Sequence, residues 1–146
     1  MIAPSDLVEL RMRDGHVTLE QSYAYCWFHP DNATVLYVGA TWLHPAARAE
    51  LHLHGDDPQV RIVGAGLEQA GIDANAPMRI LAFLVPSQLN RQEAKMDLIG
   101  ALANERLLSE HYFGPSPESP RQPDDASMST WTATVIAFLR ERSLQP

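Results

Sequence analysis

The chain has 146 residues, 45% of them apolar and 20% charged, with a formal net charge of -7. That composition suits one domain, or one small domain with an appendage, and excludes wholesale disorder. With 18 acidic residues against 11 basic ones, any nucleic-acid role needs a local basic patch on an acidic body.

The N-terminal "MIAPSDLVEL" has no basic stretch followed by an apolar one, the pattern of an export signal. Residues 8–20 alternate apolar and polar around Asp14-Gly15, with Val8, Leu10, Met12, Val17 and Leu19 on a period of two. Asp-Gly favours tight hairpin turns, so a hairpin or a pair of short strands is expected. Residues 22–28, "SYAYCWF", are rich in aromatics and suit a strand. This segment holds the single cysteine, Cys26, which excludes an intrachain disulfide framework and any CxxC motif. Its ordinary reading is a small buried core residue. "HPDNA" then supplies turn residues, and "TVLYV" (34–38) forms the next strand, ended by Gly39.

Residues 45–54 predict a helix, with Pro45 in its first turn and Ala46, Ala47 and Ala49 favouring it. Asp56 and Asp57 precede Pro58, where another helix can begin. "VRIVGAG" reads equally as a helix, with Val60, Val63 and Leu67 at i, i+3 and i+7, or as a buried strand. "RILAFLV" (79–85) reads as a strand ended by Pro86. Residues 89–103 predict a strong helix with a wide apolar face, started by Asn90 and Glu93 in a capping-box variant.

"FGPSPESPRQPDD" holds four prolines in thirteen residues and reads as a linker or an extended wrap. After it, Met128, Trp131, Val135, Phe138 and Leu139 mark an amphipathic terminal helix. Trp131 and Phe138 need cover from the main domain or from a second chain. "ILAFLV" and "VIAFL", the longest apolar runs, are too short for a membrane span, so a cytoplasmic protein is expected. Strands and helices do not alternate regularly, which points to an α+β fold.

Three constellations invite chemistry. Gly64 and Gly66 give G-x-G, but Gln69 stands where a dinucleotide fingerprint needs its third glycine. His52 and His54 form H-x-H, with His44 upstream and Asp56 and Asp57 downstream. Residues two apart on a helix point about 200° around from each other, a poor clasp for one ion. Arg48 and His52 are four apart and share a helix face, so together they can serve a phosphate, or simply form a solvated face. Glu93, at the third helical position, caps its own helix on the plain reading.

Taken in order, these residues resemble the GIY-YIG nuclease domain family over about residues 22–105. Tyr23-Ala24-Tyr25 stands where the first tripeptide belongs, and Tyr37-Val38-Gly39 where the second does, with eleven residues between them. Arg48, His52 and Glu93 follow at fitting positions, and Asn104 is a rough match for a later asparagine. The chain departs from the pattern at Tyr23 and Ala24, in place of glycine and isoleucine, and at Ala40. The resemblance implies a small three-stranded sheet, antiparallel or mixed, flanked by helices in the order ββααβα. Together with the flanking segments read above, which lie outside the resemblance, this divides the chain into an N-terminal β extension (1–21), the domain (22–112), a Pro-rich linker (113–126) and a C-terminal helix (127–146).

It further implies a metal-dependent endonuclease. Glu93 would hold one Mg2+ or Mn2+, Arg48 would pair with the scissile phosphate, and Tyr25 would orient or deprotonate water, aided by Tyr37 or His52. Gly39 would turn the backbone tightly beside the substrate, with Asn104 as a second substrate contact. The implied partner is nucleic acid, DNA before RNA, with no membrane. A homodimer through the C-terminal helix is also expected. The alternatives are a domain of this type that binds nucleic acid or protein without cleaving, or an unrelated α+β interaction domain.

Overall fold

The computed structural model describes residues 11–18, 22–41, 45–55, 61–117 and 126–143. Nine elements follow one another: β1 (Arg11–Arg13), β2 (His16–Thr18), β3 (Ser22–Phe28), β4 (Val35–Thr41), α1 (Pro45–His54), α2 (Ile62–Ala70), β5 (Ile80–Val85), α3 (Arg91–Asn104) and α4 (Ala126–Ser143).

β1 and β2 form the expected hairpin, with Met12 opposite Val17. Asp14 and Gly15 both take positive φ, 53° and 79°, as a tight turn whose twist suits a hairpin demands. The larger sheet has the order β4-β3-β5, with antiparallel pairing at both junctions. Its centre is the aromatic strand β3. A bulge between Trp27 and Phe28 shifts the register against β4. The expected small three-stranded sheet flanked by helices is therefore present, and it is antiparallel throughout.

Each face of the sheet carries its own core. Ala24, Cys26, Phe28 and Val38 meet Ala94, Leu98, Ile99 and Leu102 of α3, and Met128, Val135, Ile136 and Leu139 of α4. Tyr25, Trp27 and Tyr37 meet Val63 and Leu67 of α2, with Ala49 and Leu53 of α1 beside them. Burying one such large side chain contributes about 1.5–3 kcal/mol. Trp27 gives part of this back, because its indole Nε1 is buried without a hydrogen-bond partner, which costs about 1–3 kcal/mol.

"VRIVGAG" resolves as helix from Ile62 onward, closed by Gly71 at φ 70°. The G-x-G pair within it serves packing. A Cβ on Gly66 would lie 2.6 Å from Phe113 Cε2, so only glycine admits that ring. Phe113, placed at the start of the expected linker, is thus part of the folded domain. After α3 the chain runs beside β4: the Val35 amide donates to the Leu107 carbonyl, and the Ser109 and Phe113 amides donate to the Val35 and Leu36 carbonyls.

α4 packs on α3, with Thr132 donating to Asp97 and Arg140 bonded to Glu105. Trp131 donates its indole N–H to the Leu84 carbonyl at 3.0 Å. Phe138 meets Phe83 edge to face, 5.6 Å between ring centres. Both large residues of the terminal helix therefore find cover within the chain, although Phe138 stays 37% exposed and Leu84 52%. Among the described residues no helix is long and apolar enough to cross a membrane.

Candidate functional site

Tyr25 lies opposite Gly39 in the β3–β4 ladder, and Trp27 lies opposite Tyr37. Directly opposed residues share a face, so the two tyrosines stand as diagonal neighbours on the face covered by α1 and α2. Their ring centres are 6.2 Å apart. The Tyr25 ring lies across Gly39. A Cβ there would overlap the phenol, coming within 2.8 Å of Cε2 and closer still to Cζ and Oη. Gly39 sits inside β4, two residues before its end, and its φ is not positive. This corrects the expectation that it ends the strand in a tight turn: glycine is required there by the side chain opposite, not by backbone conformation.

The helical spacing of Arg48 and His52 works as expected, since both reach this cluster. His52 is 0% exposed, and its Nε2 is hydrogen-bonded to the Tyr25 hydroxyl. The His52 ring is 5.7 Å from Tyr25 and 5.5 Å from Tyr37, edge-on to the latter. Burial raises the Tyr25 phenol well above its ordinary pKa and the Tyr37 phenol adds to this, while the Arg48 guanidinium beside it works the other way. Tyr37 is raised for the same leading reason, burial, again opposed by Arg48. Of these effects burial is the largest, and it favours the neutral phenol. Arg48 carries a buried Nε that has no hydrogen-bond partner.

No family model, curated protein or solved structure matches this chain.

Glu93 is exposed in the first turn of α3, where its backbone N–H donates to Asn90 Oδ1 at 3.0 Å. That is the capping half of the expected box. The β3 start, the β4 end and the β5 end coincide, since Ser22 pairs with Val85 and Tyr23 with Thr41. α1 begins four residues after β4, and α3 six residues after β5. Both helices thus start from one end of the sheet, but α3 packs on the opposite face from Tyr25. Glu93 makes no hydrogen bond or ion pair with the Tyr25–His52 cluster. Asn104 ends α3, eleven residues on and about 16 Å further along the axis, and lines a groove between α3 and α4. Glu93 and Asn104 cannot meet one small ligand.

His54 is exposed, and His44, Asp56 and Asp57 lie outside the described residues. Among the described residues no three His, Cys, Asp or Glu side chains gather to hold a metal. The residue that sequence reasoning missed is Phe113, which stacks on Tyr37 with ring centres 5.8 Å apart. No local pattern ties it to Tyr37, since 75 residues intervene.

Proposed function

We propose that this chain hydrolyses phosphodiester bonds of nucleic acid with the help of a divalent cation. The observation that carries the reading is the convergence of Tyr25, Tyr37, Arg48 and His52 on one face of the sheet, with the Arg48 Nε left unbonded beside two phenols. A guanidinium fork with spare donors suits a phosphate oxyanion. The neutral Tyr25 phenol and His52 form a relay. Tyr25 accepts a proton from the attacking water while its own proton passes to His52 Nε2. Tyr37 bounds the site, and the backbone at Gly39 gives Tyr25 its room.

On this reading Glu93 alone would hold Mg2+ or Mn2+, since no group of three His, Cys, Asp or Glu side chains gathers among the described residues. Magnesium keeps several waters and takes one or two carboxylates, so a solvent-facing carboxylate suits it where a closed cage is not built. Bound there, such a cation would polarise a phosphate oxygen and stabilise the departing 3′ oxygen.

Burial favours a second reading. Tyr25 is 3% exposed and His52 not at all, as befits a polar tie between sheet and α1 in a domain that binds nucleic acid or protein without cleaving. A homodimer through α4 belongs to either proposal. It would use the apolar surface left around Phe138 and Leu84, and light scattering reads the mass.

The deciding experiment incubates the protein with linear and branched DNA and with RNA, with Mg2+, with Mn2+ and with a chelator. The hydrolase reading expects cation-dependent products that vanish in Glu93→Ala. Equal background products from wild type and variant leave the binding reading in place.

A further inference from the structure

An acidic chain that handles nucleic acid needs a local basic surface. α3 carries Arg91 and Lys95 one turn apart, with Cβ atoms about 6 Å apart on one helix face. Both are partly buried. The Arg91 Nε is buried with no hydrogen-bond partner, which is also the condition of Arg48 Nε. The Lys95 ammonium is pushed below its ordinary pKa by burial and by the charge of Arg91.

Nothing on the helix compensates these charges. Glu93 lies two residues from each cation, about 200° around the helix. Asp97 already accepts from Thr132. Among the described residues neither Arg91 nor Lys95 is paired with a carboxylate. Two cations held together without a carboxylate partner among the described residues, in a chain of net charge -7, are open to an external anion. Its place is the start of α3, at the end of the sheet from which α1 and Arg48 also begin.

We propose that Arg91 and Lys95 grip the phosphodiester backbone of a nucleic-acid strand, next to the phosphate that Arg48 receives. The second half of that statement rests on the phosphodiesterase reading. The grip itself does not, since it requires only binding. Backbone contacts of this kind position a strand without reading its sequence.

Fluorescence anisotropy with labelled DNA duplex, DNA single strand and RNA, in chelator so that nothing is cleaved, tests the proposal over 50–200 mM salt. Arg91→Gln with Lys95→Gln is expected to weaken binding at least tenfold at low salt. It should also flatten the slope of log affinity against log salt by about 1–2, at roughly 0.7–0.9 per lost phosphate contact. Arg91→Lys with Lys95→Arg should bind like wild type. The three arms show whether DNA or RNA supplies the backbone. The neutral double variant should melt at or above the wild-type temperature, because it removes a like-charge pair.

If that variant binds with wild-type affinity and slope, or if wild type binds none of the probes, the proposal is overturned. A lower melting temperature without a binding change assigns the pair to structure and likewise overturns it. Cleavage is scored separately with Mg2+. A wild type that binds through this pair but cuts nothing upholds the grip and removes the hydrolase reading.

Discussion

Gly39→Ala tests the geometry on which the site depends. The new Cβ would occupy the space of the Tyr25 phenol, overlapping Cζ and Oη and lying 2.8 Å from Cε2. Backbone and a strand-bound aromatic ring cannot yield as the tip of a flexible chain can. Forced overpacking costs about 1–3 kcal/mol. If the ring swings aside, buried His52 loses its hydrogen bond to Tyr25, which costs about another 1–3 kcal/mol. In a chain of this size each kcal/mol moves the melting temperature by about 2–4 °C, so a fall of about 5–20 °C is expected. Gly100→Ala is the control. It lies in the interior of α3 with nothing within 4 Å of an added Cβ, so it should gain about 0.5–1 kcal/mol from helix propensity. Both are read by calorimetry or by circular dichroism on heating. A Gly39→Ala protein that melts within 2 °C of wild type would show that Tyr25 does not lie across this strand, and the cluster would lose its foundation.

Alkaline pH should destabilise the fold early. Burial pushes the Cys26 thiol up to about 12 and raises the Tyr25, Tyr37 and Tyr112 phenols. Unfolded, a thiol titrates near about 8.5 and a phenol near about 10. Raised folded values mean the protonated forms stabilise the fold fully below those unfolded values, and that stability drains away as pH rises through the folded ones. The urea midpoint should therefore fall from about pH 9 upward, less steeply in Tyr25→Phe, and a flat profile from pH 8 to 11 refutes the burial argument. Arg48→Met keeps the aliphatic stem and removes an unbonded buried Nε. Stability should hold or rise, while cleavage should drop by about 10²–10³, as when one preorganised donor to a developing oxyanion is lost. A fall of more than about 5 °C, or some 1–2 kcal/mol, would instead make Arg48 a structural tie.

Local rules made the elements legible and left their long-range reasons hidden. Asp14-Gly15 announces its hairpin because the turn's positive φ values are a property of those two residues alone. Asn90 announces α3 for the same reason, since its side chain caps an amide three residues on. "VRIVGAG" stays ambiguous in sequence because its arbiter is Phe113, which fills the space over Gly66 from 47 residues downstream. Gly39 misleads in a similar way. Glycine after an apolar run reads as a strand end, yet its partner Tyr25 sits on the neighbouring strand and needs the missing Cβ. For the site, helical spacing correctly put Arg48 and His52 on one face. Spacing carries no information about burial, and burial is what holds the Tyr25 phenol in its neutral form.

The unbonded nitrogens bear on the choice between a reactive cluster and a polar tie. Buried polar atoms are nearly always hydrogen-bonded, and leaving one unmade costs about 1–3 kcal/mol. Trp27 Nε1 shows that this fold tolerates one such loss in its core, so an orphan alone decides nothing. Trp27, however, repays its orphan with the apolar area of an indole that is 1% exposed. Arg48 and Arg91 are only partly buried, and each carries a charge. The polar tie between sheet and helix is made by the Tyr25–His52 bond and by a hydrogen bond between Arg48 and the Tyr25 hydroxyl. Methionine or leucine would fill the Arg48 position at lower cost. On the proposed reading, guanidiniums at two helix starts on one end of the sheet, each with a buried Nε unbonded, are donors that a phosphate would take up.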